Sequence, residues 1–241
     1  MFIDKKISIV IPCFNEEKTI IQTLQKSIES IKKLTKYYQI IIVDDFSNDQ
    51  SREKLKIYEK DNSIDIIFHE RNYGKGKALK TAFEKVNGEY IIIQDADLEY
   101  SPDDYKNLLV PFVETDADVV YGSRFLGGGK YVRLHFFWHY LANRFLTFLC
   151  NLSTNVNMTD METGFKAFKS SVIKSVNLEE NSFGIEPEMT IKLSYKKFKF
   201  YEVPISYNGR SYEEGKKIRL IDAFIALYCI FKYSIICLLK K

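Results

Sequence analysis

The sequence predicts an α/β fold, a doubly wound and mostly parallel sheet, and three features of the chain predict it. Short apolar runs alternate with segments of helical periodicity, one of those runs is apolar throughout, and acids appear where the runs stop. Ile7-Ser8-Ile9-Val10-Ile11-Pro12 is a first strand, and Ile20, Leu24, Ile28 and Ile31 follow at helical spacing. Residues 39–43 make a second strand that ends at Asp44-Asp45. A short helix over about residues 51–60 comes next, then a strand over 64–68 and a helix carrying Ala78, Leu79, Ala82, Phe83 and Val86. Ile91 to Ile93 read as a strand buried on both faces, as the strands of parallel sheets are. This βαβαβαβ order, with right-handed crossovers, gathers the loops at one edge of the sheet. Residues 118–122 form a further strand, and with no repeats, low-complexity tracts or linkers the domain runs over residues 1–211, with 212–241 as an appendage.

A chain of 241 residues, 46% hydrophobic and 28% charged, is globular and large enough for one substantial domain. The balance of 35 Lys and Arg against 32 Asp and Glu is too even to announce nucleic acid. The basic residues gather late, at Lys196, Lys197, Lys199, Lys216, Lys217, Arg219, Lys240 and Lys241, and a basic edge suits anionic lipid headgroups. Cys13, Cys150, Cys229 and Cys237 show neither a C-x-x-C spacing nor a disulfide framework, which points to a reducing cytoplasm. The apolar run from Ile7 to Phe14, cut by Asn15-Glu16-Glu17, is too short for a signal peptide.

The most informative acids are Asp95, Asp97 and Glu99, which alternate past the Ile91–Ile93 strand and so emerge at its carboxyl end, where open α/β sheets bind ligands. Carboxylates there suit a hard divalent cation, and Mg²⁺ is usually held by one or two of them together with substrate phosphates. A strand followed by a helix start is the plainer reading: Ser101-Pro102-Asp103-Asp104 has the form of an N-cap, a Pro and first-turn acids. That reading explains Asp103 and Asp104 but not Asp95 or Asp97.

Seven segments in order then point to one family: Ile9-Val10-Ile11-Pro12-Cys13-Phe14-Asn15-Glu16, Val43-Asp44-Asp45-Phe46-Ser47, Asn72-Tyr73-Gly74-Lys75-Gly76-Lys77-Ala78, Asp95-Ala96-Asp97-Leu98-Glu99, Gly122-Ser123-Arg124, Thr159-Asp160-Met161-Glu162-Thr163-Gly164-Phe165, and Gly209-Arg210-Ser211 followed by Lys216. The chain resembles the inverting family-two glycosyltransferases of GT-A fold, in the branch that includes dolichyl-phosphate mannosyltransferase and bacterial polyprenyl-phosphate glycosyltransferases. Two positions depart from that pattern. Phe14 replaces a usual Tyr and donates no hydroxyl hydrogen bond; Glu99 stands where some relatives have Gln and adds charge.

The resemblance implies a nucleotide-sugar pocket of the GDP-mannose or UDP-glucose class, built from Pro12, Phe14 and Glu16 at the first strand end, Val43 and Asp45 at the second, and Asp95, Ala96 and Asp97 at the third. Strand-end packing for Pro12 and Phe14, and an Asx turn for Asp45, are the plainer readings. Asp95, Asp97 and Glu99 would hold Mg²⁺ or Mn²⁺. Arg124, with a planar fork that grips phosphate oxygens, and more weakly Arg144, would take an acceptor phosphate. Arg210 and Lys216 lie near Gly209 and Gly215, on a loop that would close over the diphosphate. Gly74-Lys75-Gly76 either faces the same diphosphate or is a plain turn.

The implied reaction is transfer of a hexose, with inversion, to a polyprenyl phosphate, for which Asp97 and Arg124 are the catalytic candidates. A phosphate acceptor is already anionic and needs no base, so Asp160 and Glu162 would orient the sugar or Arg124. An alcohol acceptor would make Asp160 the candidate base. Two readings compete: transfer to a saccharide or protein hydroxyl, and a non-catalytic module that only binds nucleotide sugars.

Residues 131–157 mix Phe136, Phe137, Trp138, Tyr140, Phe145 and Phe148 with Arg133, His135, His139 and Arg144, a composition that suits a bilayer interface or a protein core. His135 and His139 have i,i+4 spacing but no acidic partner, so zinc is not expected. Residues 220–239 are long enough to cross a bilayer. Their eleven Leu, Ile and Phe gain about 0.3–0.6 kcal/mol each on insertion while a central Asp222 or Lys232 costs about 2.5–3.5, which leaves crossing near balance. We expect a helix lying on the surface, and thus a peripheral protein on the cytoplasmic membrane face.

Overall fold

Every strand expected from the apolar runs forms, and two further strands complete the sheet. The structure, a computed structural model, describes residues 2–133, 136–211, 213–215, 217 and 220–239. In chain order the elements are β1 (Ile7–Cys13), α1 (Ile20–Lys32), β2 (Tyr38–Asp44), α2 (Ser51–Lys56), β3 (Ile64–Phe68), α3 (Lys75–Lys85), β4 (Tyr90–Ile93), α4 (Tyr105–Glu114), β5 (Val119–Ser123), α5 (Phe137–Thr154), β6 (Lys166–Lys169), α6 (Ser170–Lys174), α7 (Ile185–Tyr195), β7 (Phe200–Pro204) and α8 (Leu220–Leu239). They build one seven-stranded sheet in the order β3-β2-β1-β4-β6-β5-β7. β1 pairs in parallel with β2 and β4, β2 with β3, and β5 with β7. Only β6 runs antiparallel, wedged between β4 and β5. The sheet is therefore mixed and mostly parallel.

Alternation along the central strands explains the layering. Ile9, Ile11, Ile40, Ile42 and Ile92 face one core, shared with α1 and α4. Val10, Ile41, Val43, Ile91 and Ile93 face the other, with α3, α5, α7 and α8. Burying each such side chain contributes about 1.5–3 kcal/mol, so a strand apolar on both faces is stable only with helices on each side. At the start of α4 the Ser101 side chain accepts from Asp103 N at 3.3 Å, as an N-cap does. The helix expected over 51–60 is shorter, ending at Lys56.

α8 packs along α7 and α5 through Ala226, Cys229, Ile230 and Tyr233, all buried. Lys232 is tied to Glu180 at 2.8 Å. Ile221, Phe224, Tyr228, Phe231, Ile235 and Leu238 on the same helix remain exposed. Residues 221–239 are long and apolar enough to cross a membrane, yet one side of the helix is committed to the domain.

Candidate active site

The carboxyl ends of β1, β2 and β4 open onto a cavity of about 660 Å³. Each of these strand ends carries one non-glycine residue in the left-handed backbone region, Asn15 (φ 51°), Phe46 (φ 67°) and Leu98 (φ 60°). Such residues persist only where the surroundings over-determine them, and they cluster at functional sites. Leu98 turns the chain so that Asp97 Oδ1 accepts from Glu99 N at 3.1 Å, which presents both carboxylates to the cavity.

Four acids there, Glu16, Asp95, Asp97 and Glu99, meet three cations, Arg210, Lys217 and Lys75. Arg210 donates from Nη1 and Nη2 to Glu16, 3.0 Å each, and from Nη2 to Asp97 Oδ2 at 3.1 Å, while its backbone N–H donates to Glu99 Oε1 at 2.8 Å. Glu99 Oε2 accepts from the Tyr207 hydroxyl, so both Glu99 oxygens are engaged. Lys217 reaches Glu16 at 2.6 Å and the Phe14 carbonyl. Asp95 is held by Lys75 at 2.9 Å, and Lys75 also reaches Glu186 at 3.2 Å, itself paired with the fully buried Lys166. Burial alone would lower the pKa of Lys75; Asp95 and Glu186 outweigh it and raise it. Gly164 lies against Asp95 so closely that a Cβ there would overlap the carboxylate and come within 3.1 Å of Lys75 Nζ.

Among the described residues no three His, Cys, Asp or Glu side chains are gathered as a metal cage. The donor set nevertheless fits a hard cation. Burial, with the charges of Glu99 and Asp95, pushes the Asp97 carboxyl up to about 7, which means the cluster carries more negative charge than Arg210 neutralises.

At the far side of β4, Arg124 leaves the end of β5 and is locked by Asp160, Nε to Oδ2 and Nη2 to Oδ1, both 2.7 Å. Asn143 adds a hydrogen bond to Asp160 at 3.1 Å, and the guanidinium lies over the Tyr207 ring at 5.2 Å. Burial would raise the pKa of Asp160; Arg124 outweighs it and lowers it, which leaves Asp160 a poor proton acceptor.

The structure brings Pro12, Phe14, Glu16, Asp45, Asp95, Ala96, Asp97, Glu99, Arg124 and Arg210 to one cavity wall. Asp45 is already occupied: it accepts from Tyr73 N at 3.0 Å, Gly74 N at 2.6 Å and pairs with His69 Nδ1 at 2.7 Å. The turn it holds requires φ of +99° at Gly74. The Asx turn before Ser47 is made instead by Asp44, whose Oδ1 accepts from Ser47 N at 3.1 Å. Val43 is buried in the core and does not line the cavity. Arg144 is not brought to it either; it stands exposed on α5. Lys216, His135, Arg219, Lys240 and Lys241 lie outside the described residues.

The family model for glycosyl transferase family 2 matches residues 8–176, which hold nearly all of β1 to β6 and every cavity residue just named except Arg210.

The chain belongs to glycosyl transferase family 2.

It is 32% identical over 174 residues to an undecaprenyl-phosphate 4-deoxy-4-formamido-L-arabinose transferase of Photorhabdus laumondii, covering 71% of this chain and 51% of that protein. It is 26% identical over 212 residues to a dolichol-phosphate mannosyltransferase of Pyrococcus furiosus, covering 88% and 59%. The chain thus spans between half and three-fifths of the length of these curated relatives. Glucosyl-3-phosphoglycerate synthase of Mycobacterium tuberculosis, solved with Mn²⁺, UDP and glucosyl-3-phosphoglycerate, superposes with a TM-score of 0.72 at 17% identity over 95% of this chain and 80% of that one. The fold is GT-A-like, as the motifs imply.

Several residues of this family 2 site were not singled out in the sequence: Glu186, Lys166, Tyr207 and Lys217. Lys166 gave a signal, a lysine directly after the Gly164-Phe165 motif in a segment with no exposed period, but its partner lies 20 residues on in α7. Lys217 adjoins the expected Lys216 and nothing in the sequence separates the two.

Proposed function

We propose that this chain transfers a hexose from a nucleotide sugar of the GDP-mannose or UDP-glucose class to a polyprenyl phosphate, with inversion at the anomeric carbon. Arg124 carries the reading. Asp160 uses its Nε and Nη2 and fixes its plane, and no hydrogen bond joins its Nη1 to a described residue at the cavity edge. A rigid cation with a donor to spare suits a phosphate. The named relatives support the acceptor class.

The nucleoside would lie against Pro12 and Phe14, over the β2 end that carries Val43 and Asp45, with Ala96 beneath it. Arg210 would leave Glu16 and Asp97, and Lys217 would leave Glu16, for the diphosphate, which Lys216 would also bind. Asp95 and Asp97 would hold Mg²⁺ or Mn²⁺, with Glu99 anchoring Arg210 from beside them; when bound, such a cation supplies positive charge to the leaving diphosphate. The acceptor oxygen is anionic near neutral pH, so the protein's own work is positioning and charge stabilisation, and no side chain need take a proton. The low pKa of Asp160 agrees with that. Residues 1–211 would form the transferase domain and residues 212–241 a closing loop and interfacial helix. The outward residues of α5 and α8, with Arg144 among the headgroups, would seat the enzyme peripherally on the cytoplasmic membrane face, where its lipid acceptor lies.

The test pairs Arg124→Gln with Asp160→Asn, so that no buried charge is left alone. Use of undecaprenyl phosphate should fall about ten- to a hundredfold in kcat/KM for each charge-assisted hydrogen bond lost, while calorimetric UDP affinity holds. Loss of UDP affinity with acceptor use intact would refute the role.

A further inference from the structure

Asp160 and Glu162 are both expected to orient the sugar or Arg124, and among the described residues it is Asp160, not Glu162, to which Arg124 donates. Glu162 lines the cavity, its Oε1 is sealed from solvent, and that oxygen has no hydrogen-bond partner among the described residues. Its two acidic neighbours are both spent: Asp160 on Arg124 and Asn143, Glu186 on Lys166 and Lys75. A buried acceptor without a donor costs free energy, which a ligand donor recovers once the side chain turns that oxygen into the cavity.

Position decides which ligand group that is. Glu162 enters the site just before β6, on the opposite side of β4 from β1 with its Pro12 and Phe14. Its near neighbour Gly164 abuts Asp95, and Arg124 rises from β5, the next strand beyond β6. Glu162 thus lies between the place of the diphosphate and the place of the acceptor phosphate. Both of those groups are anionic and offer it no proton. The hexose that passes between them is ringed with hydroxyl donors. We propose that Glu162 accepts a hydrogen bond from one hydroxyl of the transferred hexose and so determines which nucleotide sugars are used. This rests on the transfer proposed above. Burial and the Glu186 charge push the Glu162 carboxyl up to about 7, so it is partly neutral near neutral pH and tolerable beside two phosphates. A site built to hydrogen-bond a substrate hydroxyl discriminates strongly against analogues that lack it.

The experiment uses the full chain and whichever of UDP-glucose and GDP-mannose it transfers to undecaprenyl phosphate. Monodeoxy analogues of that donor are compared in wild type, Glu162→Gln and Glu162→Ala, each checked for folding by thermal melt. One deoxy position should lower wild-type kcat/KM by about tenfold or more, through KM and kcat together, and cause no further loss in Glu162→Ala. The other positions should cost the same in both, and Gln, which keeps an acceptor oxygen, should restore part of the loss. A uniform deoxy penalty in wild type and Glu162→Ala would overturn the inference. Calorimetry separates this result from failure of the transfer itself: Glu162→Ala should weaken binding of the intact nucleotide sugar but not of UDP or GDP alone. If both fall equally, or neither falls, Glu162 does not read the sugar whether or not transfer occurs.

Discussion

Two carboxyls of this site, Asp97 and Glu162, are both pushed up to about 7, each first by burial and then by neighbouring acids. Asp97 is buried and crowded by Glu99 and Asp95, a charge excess that a bound cation relieves. Glu162 is buried beside the Glu186 charge, with Asp160 adding repulsion and Lys166 and Arg124 opposing it. For Glu162 the folded pKa lies above the ordinary 4.5, so its contribution to stability is fully present below about 4.5 and is lost as pH rises through about 7. Glu162→Gln keeps the shape and removes the titration. Its melting temperature relative to wild type should therefore climb between about pH 5 and pH 8 and level off above. A difference that stays constant across that range would mean Glu162 ionises as freely in the fold as in the unfolded chain.

At the scale of elements, the parts that were legible from sequence are those whose surroundings are uniform. β1, β2 and β4 are covered by helices on both faces and read as apolar runs; α1, with Ile20, Leu24 and Ile31 inward, reads as a period. The missed elements are mixed. β6 begins with Lys166, buried with Glu186 as its counter-ion and the Met161 and Thr163 carbonyls as acceptors, and α7 is buried nearly all round, Glu186 and Glu188 included, so it shows no polar face. The site divides in the same way. Acids at strand ends announce themselves, whereas pairs such as Lys75–Glu186 and Arg210–Glu16 join residues far apart in the chain. α8 illustrates how packing refines an experiment. Truncating it would uncover α7 where Cys229, Ile230 and Tyr233 now pack, so loss of lipid binding could reflect damage to the core. Replacing Phe224, Tyr228 and Phe231 with Glu instead alters the exposed side alone. The triple variant should melt like wild type yet fail to float with anionic liposomes, and salt should weaken flotation of the wild type. Equal flotation of both would move the anchor to the exposed face of α5.

Across the whole molecule, the strand order sets two chemistries on either side of β4. The β1 and β2 ends offer an aromatic face and acids; the β5 end, beyond the reversed β6, offers Arg124, the proposed holder of the acceptor phosphate. Reversing β6 brings Gly164 against Asp95, so the proposed place of the sugar is bounded by the two. In the proposed transfer each half would serve a different substrate, and the molecule needs no proton acceptor if the incoming nucleophile is a phosphate. That claim is tested most directly by measuring transfer of labelled sugar from UDP-glucose and GDP-mannose to undecaprenyl and dolichyl phosphates, side by side with the matching polyprenols. The account predicts turnover of the phosphates and none of the alcohols. Equal turnover of alcohol and phosphate would contradict it.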